Sequence, residues 1–280
     1  MPAAPLEGPG VSRSAPTSGR RAALRAATGA LGVLAERVRP TYLAGEEILP
    51  APAPLAELLG TPGLRRGSTL LVEAAAGLSP RRQDVVPGAT SLALGLLAEP
   101  SAAGAFCAVV GLPDLGLAAA RELGVALERL VVVPSAGPRD AAVVGALLEG
   151  VDLVLARLPG HLSAATARRL TARAREHRSV LVLAGRGVGE PVGSGPDLSW
   201  PEPPDVRFSV LATAWDPTDA AGALFASRRL EVRAHRRRAV PEDVSRTLAF
   251  SAVSGRLRLG LVAPEAAAAA SRHPERREAR

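Results

Sequence analysis

The residues best suited to chemistry in this chain lie between Val85 and Glu99, in the stretch VVPGATSLALGLLAE. It follows the apolar run TLLVEAAA, Thr69 to Ala76, so a strand, a glycine-containing loop and a Thr–Ser pair opening an apolar helix come in order. That is the layout of a P-loop. Backbone N–H groups cradle the phosphates, a lysine offsets the β/γ charge and a hydroxyl holds magnesium, at the spacing G-x-x-x-x-G-K-[S/T]. Anchored on Gly88, the lysine position is Ala89, the hydroxyl position is Thr90 and the first glycine position falls on Gln83. Anchored on Gly77 instead, Gly88 comes eleven residues on, where the motif wants five, an insertion of six. The chain contains no lysine at all, since its 34 basic residues are all arginine. The cradle is therefore expected to be degenerate at Gly88, Ala89, Thr90 and Ser91, holding no cofactor and no metal. Thr90 and Ser91 keep a helix N-terminus, which attracts anions through its dipole and unpaired N–H groups. Thr90 is expected to cap that helix.

The one dense basic stretch is RRLEVRAHRRR, Arg228 to Arg238. Strand alternation puts Leu230, Val232 and Ala234 on one face and Arg229, Glu231, Arg233 and His235 on the other, a solvated strand face. Arg236, Arg237 and Arg238 lie beyond the alternation. Guanidinium forks match phosphate oxygens, so these three are the candidate DNA contacts, with an exposed turn as the alternative. LVLAGRGVGE, Leu181 to Glu190, has the glycine spacing of a dinucleotide fingerprint, but Pro191 and VGSGP follow where a helix must begin, so it reads as a flexible loop. No G-x-S-x-G elbow occurs, and His161, His177, His235 and His273 are too scattered for a metal site or a triad. Cys107 is the only cysteine; in the apolar run AFCAVV it reads as a small buried hydrophobe. Trp200 and Trp215 read as anchors for the irregular segment between strands.

These residues sit in a chain of 280, enough for one large domain or two small ones, and its 47% hydrophobic content favours a folded globule. The formal charge of +7 argues weakly for a nucleic-acid partner, because acidic residues are interspersed with the arginines. Aromatics at 2% are too few for serial base stacking. No apolar run reaches the ~18 residues of a membrane span, and the N-terminus lacks the apolar core of a secretory signal, so a cytoplasmic protein without a membrane partner is expected.

The positioning elements follow from hydrophobic spacing. Residues 1–20 are expected to be disordered, being Pro, Gly, Ser and Ala with few large apolar groups. Leu24, Ala27, Leu31, Leu34 and Val38 recur at helical spacing, giving a helical arm over 21–66 that includes a second short segment, APLAELLG. From residue 67 to 262 apolar runs alternate with helical segments. The strands are TLLVEAA, AFCAVVG, RLVVVPS, VDLVLARL and SVLVLAG, with FCAVV, LVVV, DLVLA and VLVLA adjacent, parallel and buried. That pattern means an α/β domain with a mainly parallel sheet covered by helices. VRFSVLATAW, RRLEVRAHRR, TLAFSAV and RLRLGLV then read as a strand-rich C-terminal part that extends the sheet. Residues 263–280, charged and Ala-rich, are expected to be a disordered tail.

The strand, P-loop-like turn and helix, followed by FCAVVGLPDLGLAAARELGVALERLVVVPS and DAAVVGALLEGVDLVLARL, resemble the ATPase core of the RecA family. Phe106 to Ser135 carries the likeness most closely, and it extends more weakly from about Gly67 to Val262. LRRGSTLLVE, ATSLALGLLAE and WDPTDAAGALFASRRLEVRAHRRR make it most similar to the ImuA branch, RecA-like proteins encoded with translesion synthesis factors in bacteria. The resemblance implies a magnesium-binding Asp at the carboxyl end of VDLVLARL, where Ala156 and Arg157 stand and Asp152 is at the wrong end. It implies a water-activating carboxylate just after FCAVV, where Pro113 falls, with Asp114 one residue away. It further implies an inactive pseudo-ATPase adaptor whose partners are an ImuB-like polymerase relative, an error-prone DnaE-type polymerase and single-stranded DNA. A DNA-dependent ATPase in which an arginine replaces the lysine, and a division inhibitor resembling SulA, are the alternatives.

Overall fold

A computed structural model describes residues 47–75, 88–135, 137–158, 162–185, 188, 200–216, 227–237, 242–253 and 256–262. Two short strands, β1 (Ile48–Pro50) and β2 (Gly63–Arg65), form an antiparallel pair around helix α1 (Ala53–Leu59). The chain then alternates: β3 (Thr69–Ala74), α2 (Ala89–Ala102), β4 (Cys107–Val110), α3 (Leu117–Glu122), β5 (Leu130–Val133), α4 (Asp140–Leu147), β6 (Leu153–Ala156), α5 (Ala164–Glu176) and β7 (Val180–Ala184). Four more strands follow: β8 (Val206–Asp216), β9 (Ser227–Arg236), β10 (Asp243–Val253) and β11 (Arg256–Leu261).

One sheet collects nine of these strands in the order β11-β10-β9-β8-β3-β7-β6-β4-β5. From β8 to β5 every neighbour is parallel, and from β8 to β11 every neighbour is antiparallel. The fold is thus α/β, with a large, mostly parallel sheet flanked by helices. Both faces of β3 are buried: Leu70 and Val72 join one core with Leu55, Leu92 and Leu230, while Leu71 joins a second with Val144, Leu148 and Leu170. Unbroken apolar strands are the sequence trace of that double coverage. Among the described residues the second layer of helices stops near β3, and on β9 the alternation returns: Leu230, Val232 and Ala234 are buried, and Glu231, Arg233 and His235 are exposed.

Two expectations need correcting, and one pair of strands was missed. LVVV is parallel and adjacent to β4 as expected, but all four residues are only half-buried, because β5 is the sheet edge and has a neighbour on one side alone. The described part of the expected arm, 47–66, is no appendage: Leu49, Leu55, Leu58 and Leu64 belong to the same core as β3 and β9. The strand pair β1–β2 was invisible in the sequence, since three-residue strands carry no measurable alternation. The expected N-terminal disorder and the helix over 21–38 lie outside the described residues, as does the expected tail from 263. Among the described residues no helix is long and apolar enough to cross a membrane.

Candidate functional site

The middle strand of the sheet, β3, leads to helix α2, whose N-terminus is where the P-loop-like residues sit. Gly88 is the N-cap, at φ +61°, in the left-handed region that favours glycine. A Cβ there would run into the Leu230 side chain. The N-cap position belongs to Gly88, so Thr90 is a first-turn residue and not the cap expected of it. Ala89 is fully buried in the core. Ser91 Oγ accepts a hydrogen bond at 3.3 Å from Nη1 of Arg228 on β9. Arg228 is only 7% exposed, and burial lowers its guanidinium from 12.5 to about 10, leaving it charged at neutral pH. Gly77 and Gln83, the alternative first glycine positions, lie outside the described residues.

The other positions that the RecA resemblance singles out lie along the carboxyl edge. Strand β6 ends on Ala156, fully buried, and the next residue is Arg157, whose backbone N–H bonds to the Val110 carbonyl at 2.9 Å. A cation therefore follows directly where the RecA resemblance wants a carboxylate. Pro113 and Asp114 both lie in an exposed turn after β4. No group of three or more His, Cys, Asp or Glu placed to hold a metal occurs among the described residues.

Asp152 sits at the opposite, amino-terminal edge. Its Oδ1 accepts from Arg66 Nη1 at 2.8 Å and its Oδ2 from the Phe106 backbone N–H at 2.8 Å, tying the β2–β3 turn to the start of β6. Burial pushes its carboxyl up to about 6, with the Phe106 N–H pulling the other way. Cys107 is fully buried and its thiol is pushed up to about 12 by desolvation, as an inert core residue should be. Trp200 is half-buried against the second core, an anchoring position, while the Trp215 side chain lies outside what is described. The glycine-rich loop after β7 is described only at Gly185, whose N–H bonds to the Val72 carbonyl, and at the buried Val188.

The basic stretch divides between the two edges. Because β9 is antiparallel to β8, Arg228 lies at the end near α2 and Arg236 at the amino edge, eight residues or roughly 26 Å apart at strand rise. Arg236 does not lie beyond the alternation as expected: it is the last residue of β9, on the buried face, 8% exposed. The sequence could not show this, since the strand end depends on pairing with Val206. Arg237 is half-buried, donating to the Pro203 carbonyl at 3.3 Å and lying 3.8 Å from Asp205. Arg238 lies outside the described residues. Arg236 and Arg237 do not form one exposed patch, and Arg236 instead joins Arg65, Arg66 and Arg175 around a cleft at the amino edge, a grouping drawn from three separate segments.

A family described as the MT3502 N-terminal domain matches residues 70–189, which run from β3 through β7 and so cover the parallel half of the sheet. An uncharacterized protein of Mycobacterium tuberculosis, Rv3395c, is 39% identical over 136 residues, covering 43% of this chain and 67% of its own length. With identity at that level across two thirds of the mycobacterial protein, the chain belongs to the family of Rv3395c.

Proposed function

We propose that the chain is a non-catalytic RecA-like adaptor of the ImuA kind, acting in DNA-damage-induced mutagenesis and translesion synthesis by joining an ImuB-like polymerase relative to an error-prone DnaE-type polymerase. The observation that carries the reading is the composition of the carboxyl edge. The helix after the middle strand opens on Gly88-Ala89-Thr90-Ser91 with no lysine, and β6 ends on Ala156, followed by Arg157, with no carboxylate. Phosphoryl transfer depends almost wholly on positioned charge around the phosphates and their magnesium, so losing these groups together removes the means of catalysis while the scaffold remains. The partners follow from the ImuA resemblance alone.

Arg228 favours a second reading, a DNA-dependent ATPase in which this arginine takes the lysine's place beside Ser91. Calorimetry with ATP and magnesium, together with a pull-down from DNA-damaged cells, separates the two. The adaptor reading expects no magnesium-dependent ATP binding and co-purification of polymerase factors. Tight binding lost in Arg228→Ala would replace it with the ATPase, and capture of the division tubulin in place of polymerases would favour the SulA-like alternative.

A further inference from the structure

The cleft at the amino edge of the sheet encloses about 500 Å³, within the range of small-ligand sites. Arg65 comes from β2, Arg66 from the turn after it, Arg175 from the end of α5 and Arg236 from the end of β9, and Asp205 is the one carboxylate in the lining. Two glycines make this convergence possible. Gly67 has φ +77°, and a Cβ there would lie 3.2 Å from the Arg175 Cα, so only a bare backbone lets the β2–β3 turn rest on α5. Gly60 has φ +69°, and a Cβ there would occupy the place of the Arg236 guanidinium.

The charges inside do not cancel. Asp205 accepts the Thr69 N–H at 2.9 Å and faces Arg237 at 3.8 Å, while Arg66 is held by Asp152. Helices α1 and α5 turn their C-terminal ends this way, each contributing about half a negative charge, and Arg175 in the last turn of α5 offsets one of them. Arg65 and Arg175 are both exposed, and neither side chain has a hydrogen bond or ion pair among the described residues. Thr61 and Ser68 direct their hydroxyl protons to the carbonyls of Gly63 and Arg65, so the guanidinium groups of Arg65 and Arg175 are the donors offered to a ligand. Planar forks of N–H groups match a tetrahedral oxyanion bearing several acceptor oxygens.

We propose that this cleft binds a phosphate group, at a site on the sheet edge opposite the degenerate P-loop. The proposal does not depend on the adaptor reading. The phosphate belongs either to a small phosphorylated molecule or to the backbone of a single strand, and the chemistry of recognition is the same.

The test titrates the full chain at low salt with inorganic pyrophosphate by calorimetry, and with a labelled twelve-nucleotide thymidine strand by anisotropy. The variant is Arg65→Gln with Arg175→Gln, two exposed positions whose replacement leaves the fold intact, as circular dichroism checks. Pyrophosphate binding weakened at least tenfold in the variant supports the site. If the strand binds too, is displaced by pyrophosphate and loses about 1.4 from its salt slope in the variant, the source is a single-strand backbone. Pyrophosphate binding without strand binding assigns a small phosphorylated ligand. The proposal is overturned if the wild type binds neither probe, or if the variant binds both as the wild type does.

Discussion

Placing a lysine where the P-loop spacing anchored on Gly88 would put one, Ala89→Lys, tests whether the carboxyl edge has any latent nucleotide site. Ala89 is the first residue of α2 and fully buried, and beside it Gly88 already has Leu230 where a Cβ would go. Lysine adds a four-carbon stem to a filled core, an overpacking penalty of about 1–3 kcal/mol. Its ammonium must either lose hydration, at several kcal/mol after relaxation, or distort the helix start to reach water. The expected loss is about 3 kcal/mol or more, which for a domain of this size lowers Tm by roughly 6–12 °C. Urea unfolding followed through Trp200 and Trp215 fluorescence reads the stability, and calorimetry with magnesium and ATP reads binding. Neither the wild type nor Ala89→Lys should bind ATP in a magnesium-dependent way or hydrolyse it, with or without single-stranded DNA. A variant as stable as the wild type that acquires ATP binding would show that position 89 opens onto a formed phosphate cradle, and the reasoning would fail.

Burial raises Asp152 from 3.8 to about 6, so the folded chain keeps a proton there that the unfolded chain has released; this contribution to stability is complete below about pH 4 and lost as pH rises through 6. Asp152→Asn should flatten that part of the urea midpoint's pH profile, and an unchanged profile would count against the burial effect. Cys107, fully buried with its thiol near 12, should resist a thiol reagent at pH 8 and react once urea unfolds the chain; rapid reaction of the native protein would contradict its packing. Gly60→Ala forces a left-handed backbone on a side-chain residue and displaces the Arg236 guanidinium, for an expected loss of about 1–2 kcal/mol in urea unfolding together with weaker pyrophosphate binding. Wild-type values in both measurements would mean that Arg236 finds an equivalent place.

Local spacing determined much of this protein. CAVV, LVLA and VLVLA are strands because four or five consecutive apolar residues are buried together in a doubly covered sheet, and ATARRLTARARE is a helix because Ala167, Leu170 and Ala174 share one face. The missing lysine and the Ala156-Arg157 strand end were equally plain, since they are matters of residue type at a counted position. Strand order and the ends of strands were decided by tertiary structure alone. Whether Arg236 is an exposed turn or a buried strand end depends on Val206, thirty residues away, and whether Arg65 and Arg175 meet depends on β3 lying beside β7. Burial periodicity is written in neighbouring residues, but sheet pairing couples segments far apart in the chain, so the arginines of the amino-edge cleft look unrelated until the sheet brings them together.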